Sequence, residues 1–257
     1  LRGWQWLFLL EGLPSIVLGG VVFWLVADRI EDARWLNPEE KALMRQRMHE
    51  DRAAQGPDAQ GQGLKAVLGQ PVTWVMSAIY LFLVMALTGL LFWMPQLIKG
   101  AGIDNPLNIG LLSMVPYIVA VLFNLAMGVS SDRRGERRWH MAACASLTAL
   151  GYGVCALMPG QLLPLMVGMS LIMAGIIAWM PIFWTLPPRF LTGMAAAAGI
   201  ALINSVGQLG GVIAPYLIGR VRDLTGVTAP ALYLLCGVSV LAVGLILWGV
   251  PRRFYQR

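Results

Sequence analysis

Charge is what this sequence has least of. Only 12% of its 257 residues are Asp, Glu, Lys or Arg, whereas 58% are hydrophobic; a soluble domain carries about 25% charged residues. The stretches 66–98, 105–131, 141–188, 190–219 and 224–251 contain no charged residue at all. Water is therefore not the main solvent of this chain. Cysteine is scarce too: Cys144, Cys155 and Cys236 are odd in number, lie in apolar runs and form no CxxC pair, which excludes a disulfide framework and signals no metal site. His49 and His140 stand in polar segments far apart, without metal-ligand spacing, and are given no catalytic role. The apolar runs hold no paired carboxylates, histidine cluster or nucleophile with a base, so a membrane-embedded enzyme lacks its parts. Nothing calls for a cofactor.

What is present is length in the apolar runs. A membrane-crossing helix needs about 20 apolar residues, so 141–188 is too long for one. It divides at Met158, Pro159, Gly160 and Gln161, where Pro and Gly disfavour helix continuation. With a first span at 6–27, the sequence predicts seven: 6–27, 72–98, 108–131, 141–158, 163–186, 195–219 and 229–250. The expected fold class is an all-α integral membrane protein.

The net charge of +6 raises nucleic acid as a partner, and the placement of the cations removes it. With 28–71 cytoplasmic, 15 of the 19 Lys and Arg fall on the inner side and four on the outer, as the positive-inside rule requires. The basic balance is topological, the partner is the lipid bilayer of an inner or plasma membrane, and the carboxy terminus is expected in the cytoplasm.

The first residue is Leu1, and no basic region precedes an apolar stretch there, unlike a signal peptide. An odd helix count opening on Trp4 and Trp6, suited to a membrane interface, predicts that further helices precede the chain. In the longest polar segment, 28–65, Asn37 is a good N-cap, Pro38 suits the first helical position, and Glu40 stands in capping-box spacing. A surface helix through about Glu50 should follow, and the Gly- and Gln-rich residues 55–63 read as a flexible linker. The expected organisation is one helix (1–27), a central loop (28–71), a six-helix bundle (72–250) and a tail (251–257).

The most specific motif is GVSSDRRGERR at 128–138, between the third and fourth spans. Four arginines alone would be an ordinary inner loop. The order is more demanding: Gly128 permits close helix approach, Asp132 can hold arginines such as Arg133 and Arg137 across a helix end, and Gly135 turns the chain. Such a charged latch can hold one of two conformations.

This loop resembles the cytoplasmic signature of the major facilitator superfamily, in the copy between helices eight and nine. The resemblance covers the whole chain and makes 6–27 helix six and the remaining spans helices seven to twelve, with about five amino-terminal helices absent. GWQWLFLLEGLP (3–14), FWMPQLIK (92–99), the signature loop and GIALINSVGQLGGVIAP (199–215) are similar to the anion:cation symporter family. That resemblance implies transport of small organic anions such as tartrate, sugar acids or aromatic acids, with co-transported protons or sodium. A half-transporter with a regulatory or interaction role is the other reading.

Polar side chains inside apolar spans must face protein, water or substrate, since leaving them unpaired in hydrocarbon costs several kcal/mol. Asn204 is the leading candidate, with Ser205 beside it and Gln208 one turn on, where interhelical hydrogen bonding is the alternative role. Trp184 and Thr185 precede Pro187 and Pro188. The resemblance implies that Trp184 and Asn204 contact substrate, because sugar-acid members use a Trp and an Asn at the matching places. Those members have small hydroxyl residues before that Trp; here stand Pro181, Ile182 and Phe183, which suits a less polar anion. Tyr80, Gln96, Tyr117 and Asn124 are weaker candidates, and Thr88 and Gly89 are expected to supply flexibility. Glu11 is the only formal charge within a predicted span. The fixed positive charge that an anion needs is missing from these spans and is expected in the absent half.

Overall fold

The computed structural model describes residues 2–54, 67–191 and 193–251, so the expected linker 55–63 and nearly all of the tail lie outside the described residues. Every regular element among them is helical, and seven helices are long and apolar enough to cross a membrane. Hydrocarbon offers backbone groups no partner, so each crossing segment has to close its own hydrogen bonds as a helix. The chain divides into two units, Leu1–Pro57 and Asp58–Arg257.

The first unit holds α1 (Gly3–Leu25) and α2 (Pro38–Ala54) with a 3-10 turn at Ile30–Asp32 between them. None of the spanning window of α1 is buried, and Glu11 is exposed on it. The predicted capping box forms: Asn37 N donates to Glu40 Oε2 at 2.9 Å, and Glu40 N donates to Asn37 Oδ1 at 2.8 Å. Lys41 Nζ donates to the Glu31 carbonyl at 2.7 Å and Arg45 Nε to Glu31 Oε1 at 3.0 Å, fastening the turn to α2. The Glu31 carboxyl is held below the usual carboxylate range, first by a hydrogen bond from its own backbone and then by Arg45. The helix runs on to Ala54, beyond the expected Glu50.

The second unit consists of α3 (Pro71–Gly100), α4 (Pro106–Arg134), α5 (Arg138–Leu157), α6 (Leu162–Trp184), α7 (Gly193–Gln208), α8 (Gly210–Thr225) and α9 (Ala229–Gly244), the last continued by a π turn at Leu245–Gly249. Central to it is α3, which packs against α6, α7, α8 and α9, while α5 packs on α6 and α9 and α4 on α6. Met85, Tyr152, Met169 and Leu235 belong to one buried cluster, and Met76, Tyr80, Trp179 and Phe183 to another. Between helices in lipid, close backbone approach replaces the hydrophobic effect as the source of packing energy. A Cβ on Gly151 would stand 2.5 Å from the Gly168 carbonyl oxygen, so α5 and α6 meet backbone to backbone.

The span expected at 195–219 extends over Ala195–Thr225, because Arg220, Arg222 and Asp223 fall in an exposed last stretch where a helix can continue beyond the uncharged residues. It is interrupted at Leu209. There the backbone bond shortens to the third residue back, Leu209 N to Val206 O at 3.2 Å, next to two glycines that favour helix poorly.

Candidate functional site

Tyr80, buried on α3, is in ring contact with one other predicted residue, Trp184. Its ring packs edge-on to Trp184, with centroids 5.0 Å apart, and stacks on Phe183 at 5.4 Å; Phe183 in turn stacks on Trp179 at 4.5 Å. On the other helix, a Cβ at Gly207 would lie 2.0 Å from Tyr80 Cδ1. Glycine is what lets α7 rest on the ring. Tyr80 therefore links the end of α6, carrying Trp184, to the last turn of α7, carrying Asn204 and Gln208 three residues before and one after Gly207.

Trp184 is half-buried, while Asn204, Ser205 and Gln208 are exposed on α7. Four residues apart, Asn204 and Gln208 share one side of the helix. Neither amide has a hydrogen-bond partner among the described residues, so the interhelical bonding weighed as their alternative role is not made among them. Thr185 is committed instead: its hydroxyl donates to the Ile182 carbonyl at 2.7 Å, finishing α6. Asn124 is half-buried on α4, and no hydrogen bond or ring contact joins it to the cluster, although its neighbour Phe123 packs on the same core group. Tyr117 is exposed on α4, and Gln96 accepts from Arg222 at 3.0 Å. The candidate site is thus half-buried Trp184 on a buried aromatic cluster, which α7 reaches at Gly207 between two exposed amides, in spans that hold no charge between residues 66 and 98, 141 and 188 or 190 and 219.

Phe183 and Trp179 are the additions that sequence reasoning did not assign to the site. Spacing was the available signal, since Trp179 and Phe183 are four apart on α6 and Trp184 follows directly. Trp179 is fully buried, and its Nε1 has no hydrogen-bond partner among the described residues.

The signature loop is organised around a residue outside the predicted latch. Gly135 takes φ 63 at the end of α4, the turn expected of it. Glu136 follows and caps α5: its carboxylate oxygens accept from Trp139 N at 3.1 Å, and its carbonyl accepts from Ser131 Oγ at 3.2 Å. His140, read from sequence as a polar-loop residue, is buried in the first turn of α5, with Nδ1 3.3 Å from Glu136 Oε2 and Nε2 3.1 Å from Ser130 Oγ. A guanidinium nitrogen of Arg138 donates to the Leu247 carbonyl, tying the loop to the end of α9. Asp132, Arg133 and Arg134 are exposed, Arg137 is half-buried, and Asp132 makes no ion pair among the described residues. A Cβ on Gly128 would meet nothing within 4 Å, so the close helix approach expected there is not made within this unit.

Residues 1–215 match the family model described as Major Facilitator Superfamily. The chain is 35% identical over 257 residues to the "Putative metabolite transport protein NicT" of Pseudomonas putida, matching 100% of this chain and 58% of that protein. To a "Putative tartrate transporter" of Agrobacterium vitis it is 36% identical over 242 residues, 94% of this chain and 55% of the relative. To the "Quinolone resistance transporter" of Acinetobacter baumannii it is 36% identical over 247 residues, 96% and 56% respectively. The chain spans a little over half the length of these curated relatives.

Proposed function

Because the chain belongs to the Major Facilitator Superfamily, we propose that it is the carboxy-terminal part of a secondary transporter for small organic anions, such as tartrate, sugar acids or aromatic acids, driven by a proton or sodium gradient. The observation that carries this reading is that the buried Tyr80 ring touches both half-buried Trp184 and the α7 backbone at Gly207, next to the exposed amides of Asn204 and Gln208, which have no hydrogen-bond partner among the described residues. One accessible aromatic ring and two amide groups fit a small planar or hydroxylated acid: the Trp184 ring, backed by buried Tyr80, would pack on its carbon skeleton, and amide N–H groups would donate to its oxygens. The tartrate-named relative supports the substrate class. The missing helices would supply the fixed cation and complete the cavity.

Transport would proceed by rocking of two helical bundles about a midplane site, with substrate binding shifting the balance of inward and outward states. Gly128, Asp132, Arg133, Gly135 and Arg137 would act as the latch, their charges open to a partner bundle at the inner surface. On this reading the protein lies in the inner or plasma membrane with its carboxy terminus in the cytoplasm.

The test is uptake of labelled tartrate by cells expressing the full-length protein, with sugar acids and aromatic acids as competitors and with the proton and sodium gradients collapsed in turn. Saturable uptake that competing acids suppress and one ionophore abolishes is expected. Uptake insensitive to every carboxylate overturns the anion reading. A stable native chain of this length without uptake points to a regulatory half-transporter.

A further inference from the structure

Arg222 lies in the last turns of α8, at the membrane face opposite the signature loop. Up-and-down threading places it there together with the end of α3, and the contacts agree. The Arg222 guanidinium donates to Gln96 Oε1 at 3.0 Å and lies 4.9 Å from the centroid of the Trp93 ring, both on α3. Asp223 follows it in sequence, yet among the described residues Arg222 makes no ion pair. Its charge is held in place without being neutralised.

The position of that charge relative to the site follows from helical phase. Ile203, Gly207, Gly210, Ala214 and Ile218 are buried, a stripe that keeps its spacing across the break at Leu209 and faces α3. Arg222, four residues after Ile218, lies at the exposed edge of this stripe, as Asn204 does beside Ile203. Eighteen residues, close to five helical turns, separate Arg222 from Asn204, so the two lie along the same side about 27 Å apart. No other charge intervenes on this span between Arg220 and residue 190. An anion approaching from this face meets the guanidinium before it meets the amides.

We propose that Arg222, preorganised by Trp93 and Gln96, is an anion-capture site that receives the substrate carboxylate before it passes to Asn204. This rests on the anion reading above. A guanidinium matches a carboxylate with its planar fork of donors, and one engaged by Gln96 on a single nitrogen keeps other N–H groups for a ligand. Because Arg222 is exposed, its contribution is to the rate of capture, which is screened by salt, more than to final affinity.

The experiment uses the full-length transporter in phosphatidylcholine vesicles, which carry no net charge, and follows tartrate association by stopped-flow tryptophan fluorescence at low and high ionic strength. Arg222→Gln should slow association about three- to tenfold at low salt, with the difference from wild type vanishing at high salt, while the equilibrium Kd stays unchanged. Arg222→Lys, which keeps the charge, should restore most of the rate. An unchanged rate overturns the proposal. A loss that ignores salt, or that lysine does not rescue, also overturns it and makes Arg222 a structural tie between α3 and α8. Wild-type protein that binds neither tartrate nor any other carboxylate removes the anion reading itself, a result distinct from normal binding that Arg222→Gln leaves untouched.

Discussion

Tyr80 and Gly207 are in contact so close that any side chain on the glycine would have to displace the ring, Cδ1 lying 2.0 Å from the place of a Cβ. Gly207→Val should therefore separate α3 from α7 and disturb the Trp184 packing on the far side of the ring. Overpacking of this kind destabilises by about 1–3 kcal/mol. Thermal unfolding in detergent should show a lowered Tm, and Tyr80→Ala in the Gly207→Val background should recover part of it; an unchanged Tm in the single variant would show that the helices part at no energetic penalty.

Asn204→Ala removes an amide with no hydrogen-bond partner among the described residues, so the folded protein should accumulate as before. Its effect should fall on substrate: a lost hydrogen bond of about 1–1.5 kcal/mol weakens tartrate binding roughly five- to tenfold. Uptake kinetics equal to wild type would remove Asn204 from the site.

His140→Ala leaves Ser130 without its partner at Nε2 and Glu136 with one contact fewer. Both groups are half-buried and stay within reach of water, so the loss is that of ordinary hydrogen bonds, about 0.5–1.5 kcal/mol. Faster hydrogen exchange in the first turn of α5 and at the end of α4 would register the loss. Exchange rates equal to wild type would mean that the α5 cap stands on the Trp139 contact to Glu136 alone.

Low pH should loosen α2. The Glu31 carboxyl titrates below its ordinary value in the folded protein, so the attachment it provides is complete above the unfolded value of 4.5 and fades as pH falls through the lower, folded one. Because Glu31 is exposed, the effect is small and salt-sensitive. Amide exchange across α2, compared above and below pH 4.5, should show it in the wild type and not in Glu31→Gln.

The seven crossings were legible because the charges that punctuate them are sparse, and the Asn37–Glu40 box because both halves of a cap lie within four residues. The end of α8 was not, since Arg220 and Arg222 look like the start of a loop when only their charge is considered. His140 was missed for a related reason. It abuts a run of arginines and reads as loop, although its spacing of four from Glu136 placed both on one side of a helix start. Of the proposed site, Asn204 could be singled out by polarity in an apolar span and Trp184 through the family resemblance, but the bridge between α6 and α7 could not. It depends on which face of α3 Tyr80 occupies and on the absence of a side chain at Gly207, a relationship across more than a hundred residues.

The interruption at Leu209 makes one membrane crossing into two rods, and both are fastened to the same neighbour. The first bears on α3 through Gly207 and the Tyr80 ring; the second through Gly210, where a Cβ would stand 2.5 Å from the Leu81 carbonyl oxygen, and through Arg222 on Gln96. Thr88 sits opposite the joint, its hydroxyl donating to Val84 O at 2.8 Å, with Gly210 O at 3.5 Å. A rod pinned at both ends to a second rod cannot swing about its middle alone. The two behave as a laminated spring, in which any bend at Leu209 must be matched by curvature in α3.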